Sequence, residues 1–139
     1  MNTAYVMVVE DSEDDWTMIE RALQHEANLR NEIVRARDGV EALELLFERD
    51  ALPAVVLLDL KLPRLNGLEV LIRIRAERRT ELLPVVVLTN SIEQEDVQAA
   101  WRANTNSYIR KPMTPEDFMQ VVRDLGLYWI LINESPFEL

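Results

Sequence analysis

The chain has 139 residues, 48% hydrophobic and 29% charged, with a formal net charge of −10 from 15 basic and 25 acidic side chains. That length and balance fit one globular domain with a full core and exclude a disordered chain. The acidic excess argues against nucleic acid or a membrane surface as direct partner, and the lack of any cysteine excludes disulfides, thiolate metal sites and cysteine nucleophiles.

Met1 to Tyr5 leads into the first apolar run without a basic region or a long apolar segment. Neither a signal peptide nor a membrane span is expected, and the expected location is the cytoplasm. Tyr5-Val6-Met7-Val8-Val9 reads as a strand that stops abruptly at Glu10-Asp11-Ser12-Glu13-Asp14-Asp15. Trp16, Ile19 and Leu23 recur at helical spacing, with Met18 and Ala22 beside them. Ser12 suits the N-cap of that helix and the acidic first turn suits its dipole. Ile33 to Ala36 reads as a short strand. Asp38-Gly39-Val40-Glu41 then opens a second helix in capping-box form, with Leu43, Leu46 and Phe47 expected on its buried face.

Ala54-Val55-Val56-Leu57-Leu58 runs unbroken into Asp59, the pattern of a strand covered on both faces. A loop from Pro63 to Gly67 follows. Asn66-Gly67-Leu68-Glu69 resembles a capped helix start, with Leu68, Leu71, Ile72 and the stem of Arg75 expected inside. Pro84 to Leu88 is another buried strand, ending at Thr89-Asn90-Ser91. Ser91-Ile92-Glu93-Gln94 has capping-box form ahead of Val97, Ala100 and Trp101. Ser107-Tyr108-Ile109 is a short strand, and Thr114-Pro115-Glu116-Asp117 starts a last helix with a cap and a proline at its first position. Phe118, Val121, Val122 and Leu125 supply its apolar face. Five β-α units in succession predict an α/β fold: a doubly wound, five-stranded parallel sheet with five helices on its two faces.

Such sheets carry their chemistry in the loops beyond the carboxyl ends of the strands. That edge would gather Glu10, Asp11, Asp59, Thr89 and Lys111. Alone, Asp59 reads equally well as a residue that merely begins a loop, and Lys111 as a surface lysine; their joint placement favours a site. Two carboxylates about 4 Å apart repel by roughly 4 kcal/mol at an effective dielectric near 20. Three at one edge must take up protons or hold cations. Lys111 offers one positive charge, and oxygen-only donors favour Mg²⁺ over Zn²⁺ for the rest. The set becomes intelligible if Asp59 accepts a phosphoryl group whose oxygens are stabilised by Mg²⁺, Thr89 and Lys111. A flavin-type phosphate loop is excluded by the acidic run from Glu10 to Asp15. A phosphatase with paired aspartates would want a second Asp where Lys61 stands, and a dinucleotide site would want a glycine-rich first turn.

Glu10-Asp11, Asp59 with Pro63 and Gly67, Thr89, Tyr108 and Lys111-Pro112 resemble the signature of bacterial two-component response-regulator receiver domains, the CheY-like family. The resemblance covers about residues 4–125. It implies the flavodoxin-like strand order 2-1-3-4-5 in a three-layer α/β/α sandwich. It further implies Asp59 as phosphoacceptor from a histidine kinase, Asp11 as direct Mg²⁺ ligand, Glu10 acting through water and the Lys61 backbone carbonyl as a further ligand. Thr89 and Tyr108 match the switch pair, Lys111 the phosphate partner, and Pro112 a residue after a cis peptide. Acylation and slow hydrolysis of Asp59 would be the only reactions catalysed, so no turnover enzyme is expected. The longer wording, with Asn104 to Tyr108 and a tail containing Tyr128-Trp129, is similar to stand-alone regulators paired with phytochrome-type light-sensing kinases. That implies a bacteriophytochrome as candidate kinase. A non-phosphorylated pseudo-receiver is the alternative. The sequence departs from the family pattern in Glu10 for Asp and in Asn90 after the switch Thr, while Lys61 and Ser91 occupy positions that tune access of hydrolytic water.

Residues 126–139 form the expected C-terminal tail, with no output domain, so the message would pass through contact with a downstream protein. Leu127 to Ile132 is apolar and too short to span a bilayer. It is expected to fold back or to join the last two helices and last strand in a homodimer. His25 reads as a surface residue, Trp16 as helix packing, Trp101 as core or rim, and Arg73, Arg75, Arg78 and Arg79 as a solvated face or a partner surface.

Overall fold

Five short strands hydrogen-bond into one parallel sheet: β1 (Val6–Val9), β2 (Ile33–Ala36), β3 (Val55–Leu58), β4 (Val85–Thr89) and β5 (Ser107–Arg110), in the order β2-β1-β3-β4-β5. This is a computed structural model, and it describes residues 3–137. Between and after the strands lie α1 (Glu13–Arg21), α2 (Gly39–Glu48), α3 (Gly67–Ala76), α4 (Gln94–Arg102) and α5 (Pro115–Leu127). α1 and α5 each run on into a wider π turn, Ala22–Glu26 and Tyr128–Ile132. The flavodoxin-like order expected from the family resemblance is the one observed.

The all-apolar strands are explained by two cores. Tyr5, Met7 and Val9 face one side of the sheet, with Val56, Leu58, Val85 and Val87, and pack against Ala42 and Leu46 of α2, Val70, Leu71 and Ile74 of α3, and Ala100 of α4. Ala4, Val6 and Val8 face the other side with Val55, Leu57, Val86 and Leu88, against Ile19 of α1 and Phe118 and Val122 of α5. Alternate residues of one strand therefore serve opposite layers, so a period-2 polar pattern is absent.

Helix starts follow the expected caps in four cases. The side chains of Ser12, Asp38, Asn66 and Thr114 accept from the backbone N–H groups of Asp15, Glu41, Glu69 and Asp117. The fourth helix departs from expectation. It begins at Gln94 after Glu93, which makes no side-chain cap bond, and the Ser91 hydroxyl turns instead to the Asp96 carboxylate. Two apolar residues expected inside are exposed, Phe47 at 43% and Ile72 at 44%, and Trp101, read as core or rim, is 51% exposed. In α3 the phase is fixed by Gly67, which packs on the backbone of Asp59 and Leu60 just after β3, so positions 70, 71 and 74 turn inward. Ile72 lies one residue off that stripe. In α2 the same reasoning from buried Gly39 selects Ala42 and Leu46 and leaves Phe47 outside.

The arginines of α3 and its exit are not a solvated face throughout. Arg75 donates to the carbonyls of Leu83, Asn104 and Glu81 and to Asn106 Oδ1. Arg79 donates to the carbonyls of Leu46, Arg49 and Asp50, closing the end of α2. The tail folds back in part. Ile130 and Trp129 pack on the α1/α5 core, Phe137 reaches the core on the opposite face, and Tyr128, Leu131 and Ile132 remain exposed.

Gly67 brings the start of α3 against the strand end that carries Asp59. A Cβ there would stand 2.2 Å from Asp59 O and 2.6 Å from Leu60 Cα, both backbone atoms that cannot swing aside. Gly67→Ala is therefore expected to lower stability by about 2 kcal/mol or more, read as a lower urea midpoint. An unchanged midpoint would show that α3 can shift freely.

Candidate functional site

The strand register delivers the site. Val9 pairs with Leu58, so Glu10 and Asp59 leave the sheet side by side. Leu58 pairs with Val87 and Thr89 with Arg110, which sets Thr89 and Lys111 on the flank of Asp59. Backbone bonds fix these exits: Glu10 N to Ala36 O, Asp59 N to Val9 O, and Lys111 N to Thr89 O at 2.8 Å.

Lys111 is the centre of the arrangement. Its ammonium lies 2.8 Å from Glu10 Oε1, 2.7 Å from Asp15 Oδ2 and 2.8 Å from Asp59 Oδ2. An ammonium has three N–H donors, and here three carboxylates take them. Lys111 is 5% exposed, Glu10 2% and Asp59 7%. Burial alone would lower the lysine's affinity for its proton. The bonds from Asp15, Asp59 and Glu10 outweigh it and hold the ammonium above its usual range. Glu10 shows the opposite balance: burial pushes its carboxyl up to about 7, against the hydrogen bond from Lys111.

Asp59 uses both oxygens. Oδ1 accepts from the Thr89 hydroxyl at 2.8 Å and from Lys61 N at 3.1 Å, while Oδ2 faces Lys111. Glu10 Oε2 accepts from Ser12 N at 3.2 Å. Glu10, Asp11 and Asp59 each offer a carboxylate oxygen within 4.8 Å of the others. Three anionic oxygens and no nitrogen or sulfur make a donor set for a hard divalent cation. Asp11 is the exposed member and Glu10 and Asp59 the buried ones.

Tyr108 stands farther out, its hydroxyl donating to Ser91 O at 2.8 Å. Burial raises its pKa. Across the mouth of the site Lys61 Nζ lies 3.3 Å from Asp96 Oδ2. The Ser91 hydroxyl, followed by the Lys61 ammonium against an opposing effect of burial, holds the Asp96 carboxyl below the usual carboxylate range. Asn90 is exposed beside this rim, so its side chain crowds nothing inside.

The structure thus brings together Glu10, Asp11, Asp59, Thr89 and Lys111, with Tyr108 one shell outside and Lys61 contributing its backbone N–H. One expectation fails. Pro112 follows a trans peptide, since no cis bond occurs among the described residues. Trans is the lower-energy state for a residue before proline, and Lys111 reaches all three carboxylates from it. Asp15 was missed as a site residue although it touches Lys111. The signal was available: in the first turn of a helix capped by Ser12, its side chain leans back toward the N-terminus and the sheet edge. His25 is exposed on the far part of the first helix, as expected.

A five-stranded sheet in this order, with carboxylates, hydroxyl and ammonium gathered where its strands end, defines a receiver domain. The model of the family described as "Response regulator receiver domain" matches residues 6–123, and the chain belongs to that family, whose members are phosphoacceptor switches rather than turnover enzymes. Among curated proteins it is 37% identical over 135 residues to the probable methanogenesis regulatory protein FilR2 of Methanothrix harundinacea, covering 94% of this chain and 86% of that protein. Among solved structures it resembles the phosphorylated cyanobacterial phytochrome response regulator RcpA, with a TM-score of 0.90, 31% identity and coverage of 96% and 99% of the two chains. The Mn²⁺-bound form of response regulator Rcp1, known from Synechocystis, gives a TM-score of 0.89 at 29% identity, again covering 96% and 99%. No helix among the described residues is long and apolar enough to cross a membrane.

The carboxylate cluster predicts a sign for one substitution. Asp11 adds negative charge beside two buried carboxylates that already share one ammonium. Asp11→Asn is expected to raise metal-free stability by about 1 kcal/mol and to weaken any melting-temperature rise on adding Mg²⁺. A lower melting temperature without metal would contradict the repulsion argument.

Proposed function

We propose that this receiver domain is a phosphorylation switch in which Asp59 accepts a phosphoryl group from the phosphohistidine of a histidine kinase. The observation that carries the reading is the state of Asp59: a buried carboxylate bonded at 2.8 Å to both a hydroxyl and an ammonium. In transfer, an Asp59 oxygen attacks phosphorus, the phosphorus–nitrogen bond of the donor breaks, and the imidazole keeps the released electron pair and takes up a proton. Thr89 and Lys111 redirect their hydrogens from the carboxylate to the phosphoryl oxygens. Hydrolysis of the acyl phosphate resets the switch.

Asp11 and Asp59 would be the direct ligands of Mg²⁺, with the Lys61 backbone carbonyl and, through water, Glu10. The water-mediated role of Glu10 is supported by its two oxygens being engaged by Lys111 and Ser12 N. A bound divalent ion supplies charge neutralisation for the incoming phosphoryl oxygens. The switch pair would be Thr89 and Tyr108, with Tyr108 reading the β4–α4 loop through Ser91 O.

Likeness to regulators described as phytochrome response regulators supports a bacteriophytochrome as cognate kinase and the cytoplasm as location. Exposed Tyr128, Leu131 and Ile132 at the end of α5 support a homodimer built with α4, β5 and α5, and a downstream protein would receive the signal by contact.

Incubation with Mg²⁺ and acetyl phosphate is expected to add one phosphoryl group to the wild type, stable in acid and labile in base, and none to Asp59→Asn. No adduct on the wild type would leave a pseudo-receiver that acts only by binding. Sedimentation is expected to show a dimer that Leu131→Glu converts to a monomer. A wild type that remains monomeric with and without a phosphoryl mimic would sink the dimer.

A further inference from the structure

Lys111 has no N–H to spare. Its three donors are taken by Glu10, Asp15 and Asp59 at 2.7–2.8 Å, yet the proposed switch requires the same ammonium to reach a phosphoryl oxygen. The hydrogen now on Asp59 passes with its carboxylate to the phosphoryl group, a second can follow only if another carboxylate yields, and the three are unequal. Glu10 has a side chain 2% exposed and is pinned at its other oxygen by Ser12 N. Asp59 carries the reacting group. Asp15 has a side chain 22% exposed, belongs to a different element and can turn to water at small cost.

We propose that Asp15 is a positioning residue that competes with the phosphoryl group for Lys111. In the resting site it draws the ammonium toward α1; when the phosphoryl group arrives it releases that hydrogen to the phosphoryl oxygens, while Glu10 keeps its contact. The construction of the α1 start supports the role. Ser12 Oγ accepts from Asp15 N at 3.2 Å and fixes the turn that aims the side chain. Asp15 and Lys111 also join two elements distant in sequence, the first turn of α1 and the exit of β5, beside Met18, Pro112 and Phe118. Breaking this tie on phosphorylation would loosen the α1 side of the site. The inference rests on the phosphoacceptor reading of Asp59.

Beryllium fluoride, which occupies a phosphoryl position on an Asp carboxylate without a chemical step, tests the competition. Each protein is saturated with Mg²⁺ and titrated, with bound fluoride counted by its ¹⁹F resonance. Asp15→Asn removes the competitor, and Asp14→Asn, an exposed neighbour in the same turn, removes an equal charge without touching Lys111. The half-saturating concentration is expected to fall about five-fold or more for Asp15→Asn relative to Asp14→Asn, and to return toward wild type in Asp15→Glu. Equal midpoints for the two Asn variants would overturn the competition, as would weaker binding by Asp15→Asn with an unchanged melting temperature. A wild type that binds no more beryllium fluoride than Asp59→Asn would instead overturn the phosphoacceptor reading itself, and this inference with it.

Discussion

The structure turns on one ammonium that holds three carboxylates at the carboxyl edge of a parallel sheet. Buried or half-buried carboxylates packed this closely repel one another strongly, and the protein interior screens them poorly. Lys111 relieves part of that repulsion by giving one hydrogen to each of Glu10, Asp15 and Asp59. The remaining negative charge gathers where Glu10, Asp11 and Asp59 bring their carboxylates together. Carboxylates left in excess over the one ammonium make a donor set suited to a hard cation. The fold's task is to keep these charges together without letting them relax by moving apart.

The sheet does this through register. Strands buried on both faces cannot slip by one residue, because a slip would send every side chain into the wrong core. The pairing of Val9 with Leu58 and Leu58 with Val87 therefore locks the relative heights of the strand ends. Gly67 adds a second constraint by letting α3 begin directly against the Asp59 carbonyl, and Gly67 N bonds Leu60 O at 2.9 Å. The loop after Asp59 bends at Arg64, which takes a positive φ of 66°.

Much of this was legible in the sequence. Unbroken apolar runs ending in polar residues marked β1, β3 and β4, β2 and β5 read as short strands between helical patterns, and the β-α alternation left a parallel sheet as the natural arrangement. The strand-end rule picked Glu10, Asp11, Asp59, Thr89 and Lys111 because one-dimensional position is enough to say which side chains leave a strand. It could not say which partner each would choose. Asp15 escaped because its role depends on how a helix turn faces another loop, nearly a hundred residues away in sequence. Arg75 and Arg79 escaped for the same reason: their carbonyl partners lie in loops and in the last turn of α2, which only the tertiary structure brings to them. Ile72 and Phe47 were placed inside because apolar identity was weighed above helix phase, and phase is set by the glycine contacts at Gly67 and Gly39.

The misread start of α4 is the most informative of these differences. Four helices carry a side-chain cap of their own, so their first turns are secured locally. α4 lacks one. Its first turn is tied instead through Asp96, which binds the Ser91 hydroxyl and the Lys61 ammonium. Both partners lie two residues beyond strand-end residues of the site, Lys61 after Asp59 and Ser91 after Thr89. Lys61 N also donates to Asp59 Oδ1, Ser91 N lies 3.4 Å from Thr89 Oγ1, and Ser91 O accepts from Tyr108. Asp59 and Thr89 are thus joined to the start of α4 through the same two short segments. A helix that borrows its cap from the site is the element least able to ignore what happens there.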